Sequence, residues 1–133
     1  DLRKPVQHQI FEVDNRQGLT SVLLQKVEAD KALHNGLVEN LHVLTSGPIP
    51  PNPAEILSSD RTRQMLKQLL DEYDYVFIDS PPILAVTDAA ILSTIVDGVV
   101  LVLVDDDGQV RPGQAQGGLA DLASVEFRLE CFK

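Results

Sequence analysis

The residues with the strongest claim on chemistry are carboxylates set beside apolar runs. Asp79 closes the β-branched and aromatic run Tyr75-Val76-Phe77-Ile78 and is followed at once by Ser80-Pro81-Pro82. Such a run reads as a strand buried on both faces, and an acid at its carboxyl end faces the crevice where open parallel sheets take ligands. A hard cation carried on phosphates wants a carboxylate oxygen, directly or through its water shell, so Asp79 suits a nucleotide-borne Mg²⁺. The plainer alternative is that Asp79 caps a turn with Ser80. Pro81 and Pro82 weigh against it, because they form a rigid exit that holds the carboxylate in place. A second cluster opens the chain: Asp1-Leu2-Arg3-Lys4-Pro5 sets one acid and two bases within a single turn. That grouping suits a metal-bound polyphosphate and a neighbouring acid, the alternative being a solvated charged segment.

Other polar candidates carry less. His8, His34 and His42 show no metal-ligand spacing and stand beside no nucleophile, so they read as surface or partly packed side chains. Ser58 and Ser59 lie at a helix boundary, where capping outweighs nucleophilic catalysis, and no Gly-x-Ser-x-Gly elbow is present. The single cysteine, Cys131, excludes a disulfide framework and the usual cysteine metal sites, and it fits a reducing cytosol.

The elements that must position these residues follow from periodicity. Residues 1–18, with Pro5, Asn15 and Gly18, read as a loop or a short helical turn. Leu19, Val22, Leu23, Val27, Ala29, Ala32 and Leu33 recur at helical spacing, with Thr20 or Ser21 as a cap and Gly36 near the end, which predicts one or two short helices. Residues 40–45 alternate polar and apolar and stop at Ser46-Gly47-Pro48, as a short strand does. Four prolines between Pro48 and Pro53 make a stiff loop. Pro53 then opens a helix with Asn52 as its cap, and Ser59 or Asp60 caps a second helix whose buried stripe is Met65, Leu66, Leu69 and Leu70. After the strand ending at Asp79, Thr87 or Asp88 caps a helix through Ile95, and Asp97-Gly98 turns into the apolar strand Val99 to Val104. Strand, helix, strand, helix, strand predicts a parallel sheet with right-handed crossovers. Beyond Val104 the expectation is loop, a short helix over residues 119–123, and a last strand carrying Val125, Phe127, Leu129 and Cys131 on one face.

Length and charge bound the function. With 133 residues there is room for one domain, and 11 basic against 20 acidic residues give a net charge of −9 spread along the chain. That charge disfavours nucleic acid and unassisted binding to anionic lipid. The longest apolar run, Val99 to Val104, is far short of the roughly 20 residues that cross a bilayer. The chain opens without Met, and the natural expectation is a fragment whose upstream part is absent.

Four segments, in order, carry a family resemblance: Asp1 to Pro5, Gly18-Leu19-Thr20-Ser21-Val22-Leu23, Pro50 to Ser59, and Tyr73 to Pro82. Together they resemble the bacterial tyrosine kinases and chain-length regulators of capsule and exopolysaccharide synthesis, in the P-loop NTPase superfamily. The resemblance is strongest over residues 1–104, with 105–133 divergent. It implies a three-layer α/β parallel-sheet P-loop fold, incomplete because the first strand and the phosphate-binding loop are absent, and one partial kinase domain over residues 1–133. Asp1 and Arg3 match the end of the family's Asp-x-Asp-x-Arg motif, and Asp79 matches the Walker B acid. The resemblance further implies ATP and Mg²⁺ as cofactors: Asp79 and Asp1 would position the metal, Asp1 would orient it or activate a tyrosine hydroxyl, and Arg3 would steady the acids or sit near the phosphates. Nucleotide contacts would fall to Asp1, Arg3, Asp79 and Pro81. The implied partners are a membrane-spanning polysaccharide co-polymerase or activator and further copies in a ring, at the cytoplasmic face of the bacterial plasma membrane.

The sequence departs from that pattern in three places. No Gly-x-x-x-x-Gly-Lys-Ser/Thr occurs, so the phosphates lack their usual cradle and the chain alone is expected to be inactive. Tyr73 and Tyr75 are the only tyrosines, beside a strand rather than in a tyrosine-rich tail. After Val104 come three acids and several glycines instead of a basic loop and long helix. Two rival readings stay open: a partitioning or septum-site ATPase of the same superfamily, and a catalytically dead interaction module of a polysaccharide export complex.

Overall fold

A computed structural model describes residues 1–83, 85–104 and 124–132, with side chains described as far as Val100. The chain forms two compact units, Asp1–Met65 and Leu66–Lys133.

The first unit begins with one helical turn, α1 (Gln7–Ile10), and then α2 (Leu19–Leu23) and α3 (Ala29–Ala32). One or two short helices were expected here; there are two, and they end earlier than the spacing suggested. Leu33, instead of continuing a helix toward Gly36, opens strand β1 (Leu33–Val38), which pairs antiparallel with β2 (Leu41–Leu44). The two-residue link Glu39-Asn40 permits only an antiparallel return, and Asn40 takes the tight turn at φ 60°. Pairing shifts between His34 and Val38, where Gly36 lies at φ 78°, a conformation a glycine adopts without Cβ strain.

Neither Thr20 nor Ser21 caps α2; both lie inside it, and Gly18 occupies the N-cap position without a side-chain bond. Gly18 is there because of a close approach. A Cβ on it would come within 2.3 Å of the Gly47 amide nitrogen and 2.4 Å of the Thr45 carbonyl oxygen. The amides of Leu19 and Thr20 donate to the carbonyls of Thr45 and Ser46 at 2.8 and 2.9 Å. Asn15 completes the clamp, its Oδ1 accepting from the Gly47 amide at 2.8 Å and the Ser46 hydroxyl at 3.2 Å. One of the segments that carry the resemblance, residues 18–23, is thus joined by backbone to residues 45–47, with Leu23, Ala32, Val43 and Leu57 buried in this unit.

Helix α4 (Pro53–Ser58) starts at its proline as expected. Asn52 stands at its N-cap position, but its side-chain amide donates to the Glu55 carboxylate instead of capping the backbone. Ser59 separates α4 from α5 (Asp60–Glu72). Its Oγ accepts from the Thr62 amide at 3.4 Å and donates to the Ile56 carbonyl at 2.7 Å, so this serine caps, as its position suggested. On α5, Met65 and Leu66 are 7% and 5% exposed, while Leu69 and Leu70 are half-buried.

In the second unit, β3 (Tyr75–Asp79) leads through α6 (Asp88–Ser93) to β4 (Val100–Val104). The last described strand, β5 (Ser124–Phe132), lies between them, giving the order β3-β5-β4. Both pairings are antiparallel, from Tyr75↔Phe132 to Asp79↔Arg128 and from Val100↔Arg128 to Val104↔Ser124. Strands β3 and β4 therefore run parallel to each other across a helix, as a crossover requires, but a reversed strand stands between them where direct parallel pairing was expected. The expected last strand exists; its partner could not be read locally, because strand neighbours are set by long-range hydrogen bonding. The expectation that β3 is buried on both faces is corrected: Tyr75 and Phe77 are 56% and 62% exposed, with ring centroids 6.4 Å apart, while Val76 and Ile78 are half-buried. Within the described sheet, β3 alternates between exposed and half-buried residues, one face toward solvent and one toward packing. The expected loop over 105–118 and helix over 119–123 lie outside the described residues.

Candidate functional site

The candidate residues divide between the units, Asp1 and Arg3 in the first, Asp79 and Pro81 in the second. Within the first, Asp1 is half-buried and organises its own segment. Its Oδ1 accepts from the backbone amides of Arg3 at 2.7 Å and Lys4 at 3.0 Å. The carboxylate is thereby held by the turn it opens, with Leu2, at 3% exposure, anchoring that turn in the core.

In the second unit Asp79 is the last residue of β3 and is half-buried. Ser80 beside it is 5% exposed and Pro81 is buried. The strand thus delivers a carboxylate to its carboxyl end and the following residues are packed rather than loose, which is how a rigid exit behaves. Asp88 is the residue that pattern reading underrated. The sequence offers it only as a possible helix cap, yet it occupies the first turn of α6 and is wholly buried, at 0% exposure. A fully buried acid is uncommon; the available signal was the Thr87-Asp88-Ala89 step, which reads equally well as an ordinary helix start.

Taken each in its own unit, the carboxylates of Asp1 and Asp79 offer the oxygen donors that Mg²⁺ takes, an ion that keeps several waters and is held by one or two carboxylates together with substrate phosphates. Among the described residues no group of three or more His, Cys, Asp or Glu side chains could hold a metal by itself.

Two further groups have shifted acidity. The Asp14 carboxyl lies below its ordinary value, chiefly through the Arg16 backbone amide and then the Arg16 side chain, whose Nε donates to Oδ2 at 2.7 Å. Burial first, and the Glu72 charge second, push the Tyr73 phenol above its ordinary value, so it keeps its proton and is the poorer nucleophile.

A family model described as an AAA domain matches residues 5–116. The chain is 46% identical to the tyrosine-protein kinase YwqD of Bacillus subtilis over 97% of its own length and 54% of that protein's. Two solved structures resemble it: the chimerical protein CapA2B2, 44% identical with a TM-score of 0.70 over 71% of this chain and 42% of that one, and the kinase domain of the Escherichia coli tyrosine kinase ETK, 42% identical with a TM-score of 0.67 over 71% and 37%. The chain spans about half the length of the first of these relatives. With an α/β fold, an acid at the end of β3 and a family match running through both units, the chain belongs to the AAA-domain family of P-loop NTPases and, within it, to the bacterial tyrosine kinases.

Proposed function

We propose that these residues form part of one P-loop kinase domain, in a protein that transfers the γ-phosphoryl group of ATP to its own tyrosines and regulates the synthesis and export of capsule or exopolysaccharide. The observation that carries the reading is Asp79 at the carboxyl end of β3, followed by buried Ser80 and Pro81, within a segment the family model covers. In this reading Asp79 and Asp1 hold Mg²⁺, which neutralises charge on the transferring phosphoryl group when bound. Asp1 orients the ion or accepts the tyrosine proton, and its double amide contact keeps its carboxylate aligned for either role. Arg3 steadies the acids or the phosphates, and Pro81 fixes the wall beside Asp79.

The protein works at the inner face of the bacterial plasma membrane, assembled with a membrane-spanning co-polymerase and with further copies of itself. No helix among the described residues is long and apolar enough to cross a membrane.

A chimera tests the assignment: these residues replace the matching segment of the Bacillus subtilis relative. With MgATP the folded chimera should accumulate phosphotyrosine on immunoblots, and Asp79→Asn should slow that by about 100-fold or more. A chimera that binds an ATP analogue yet never gains phosphotyrosine, or that is indifferent to Asp79→Asn, sinks the kinase reading.

A further inference from the structure

The first unit carries a groove for which the kinase reading has no use. It has a volume of about 410 Å³ and lies between the Arg16 loop, helix α2 and the proline-rich loop. Arg16 and Lys26 line it and no carboxylate does, on a chain with 20 acids against 11 bases. Asp14 offsets part of the Arg16 charge at 2.7 Å, so Lys26 is the lining cation that chiefly favours an anionic occupant.

One wall is apolar. Leu24 and Ile49 are 44% and 61% exposed there, and Pro50 and Pro51 stiffen the backbone that presents Ile49, so little freedom is lost when something docks. Thr20 also lines the groove. It is 3% exposed, and its hydroxyl is buried with no hydrogen-bond partner among the described residues. A buried hydroxyl left unpaired is costly, so an occupant that reaches it is favoured over one that does not.

We propose that this groove binds an extended acidic peptide segment of a partner protein. Its carboxylates face Arg16 and Lys26, an aliphatic side chain lies against Leu24 and Ile49, and a backbone group satisfies Thr20. Arg16 is already anchored through Nε to Asp14, which limits the side-chain entropy lost on binding. An extended peptide brings a donor and an acceptor with every residue and can reach a recessed hydroxyl, whereas an anionic membrane surface meets the cations without entering the groove. The inference does not rest on the kinase reading.

The test is fluorescence anisotropy with a labelled Glu-Asp-Leu-Glu-Glu-Leu peptide, its Lys-for-acid counterpart, and phosphatidylglycerol vesicles. The acidic peptide should bind, more weakly as salt rises, and the basic one should not. Lys26→Glu should weaken binding about tenfold. Thr20→Val should also weaken it while leaving the melting temperature unchanged or higher, which a hydroxyl serving only the fold would not do. The proposal is overturned if millimolar acidic peptide gives no signal, if Lys26→Glu binds as well as the parent, or if vesicles bind and the peptide does not compete.

Discussion

At the scale of single residues, the carboxylates of Asp1 and Asp14 are held by backbone amides. Asp1 accepts two of them, and Asp14 accepts the Arg16 amide at 2.9 Å as well as its guanidinium. Amide donors favour the charged carboxylate, which is why the Asp14 carboxyl sits below its ordinary value. A depressed acid stabilises the fold at pH values above its unfolded-state pKa, and that contribution disappears as pH falls through the lowered folded-state value. Asp14→Asn should therefore melt slightly below the parent at neutral pH, with the gap closing in acid. Melting curves for both proteins from pH 7 to pH 2 check this, and a gap that widens in acid contradicts the assignment. The effect is small because the pair is exposed to solvent.

At the scale of elements, the clamp between the Gly18 turn and the Thr45–Gly47 segment holds α2 against the end of β2. Gly18→Ala would push a methyl group into the backbone of Gly47 and Thr45, neither of which can swing away as a side-chain tip can. It should cost more than about 3 kcal/mol in urea unfolding, as over-packing against fixed atoms does. A loss under about 1 kcal/mol would mean that the two segments separate easily. What the sequence revealed of the elements follows from how local each signal is. Proline at the start of α4, the serine between α4 and α5, and the β-branched runs of β3 and β4 are local signals, and all were legible. The start of β1 was not, because Ala29, Ala32 and Leu33 keep helical spacing up to the residue where the backbone becomes extended. The place of β5 between β3 and β4, and the open face of Tyr75 and Phe77, depend on pairing between distant segments. At the candidate site the same division holds: Asp79 could be placed at a strand end from its neighbours, whereas the burial of Asp88 is decided by packing that no short window contains.

At the scale of the whole molecule, the balance of charge and the inventory of phosphate contacts bear on what these 133 residues do alone. A nucleoside triphosphate brings several negative charges to a chain whose net charge is already −9, and that repulsion must be offset locally. In P-loop enzymes the offset comes from a run of backbone amides, a lysine and a Mg²⁺ ion. In the proposed reading Asp1 and Asp79 serve the ion, but the 133 residues contain no Gly-x-x-x-x-Gly-Lys-Ser/Thr to serve the phosphates. A metal carboxylate without a phosphate cradle holds water-bound Mg²⁺ only weakly, since that ion dehydrates reluctantly. The chain by itself should therefore release no phosphate from ATP above buffer level and show no thermal shift with millimolar MgATP. Ligand at about 100 times its dissociation constant adds about 2.7 kcal/mol to stability, which raises the melting temperature by several degrees, so differential scanning fluorimetry resolves the question. A shift of that size, or phosphate release abolished by Asp79→Asn, would place a working nucleotide site within these residues and require a cradle built from other amides.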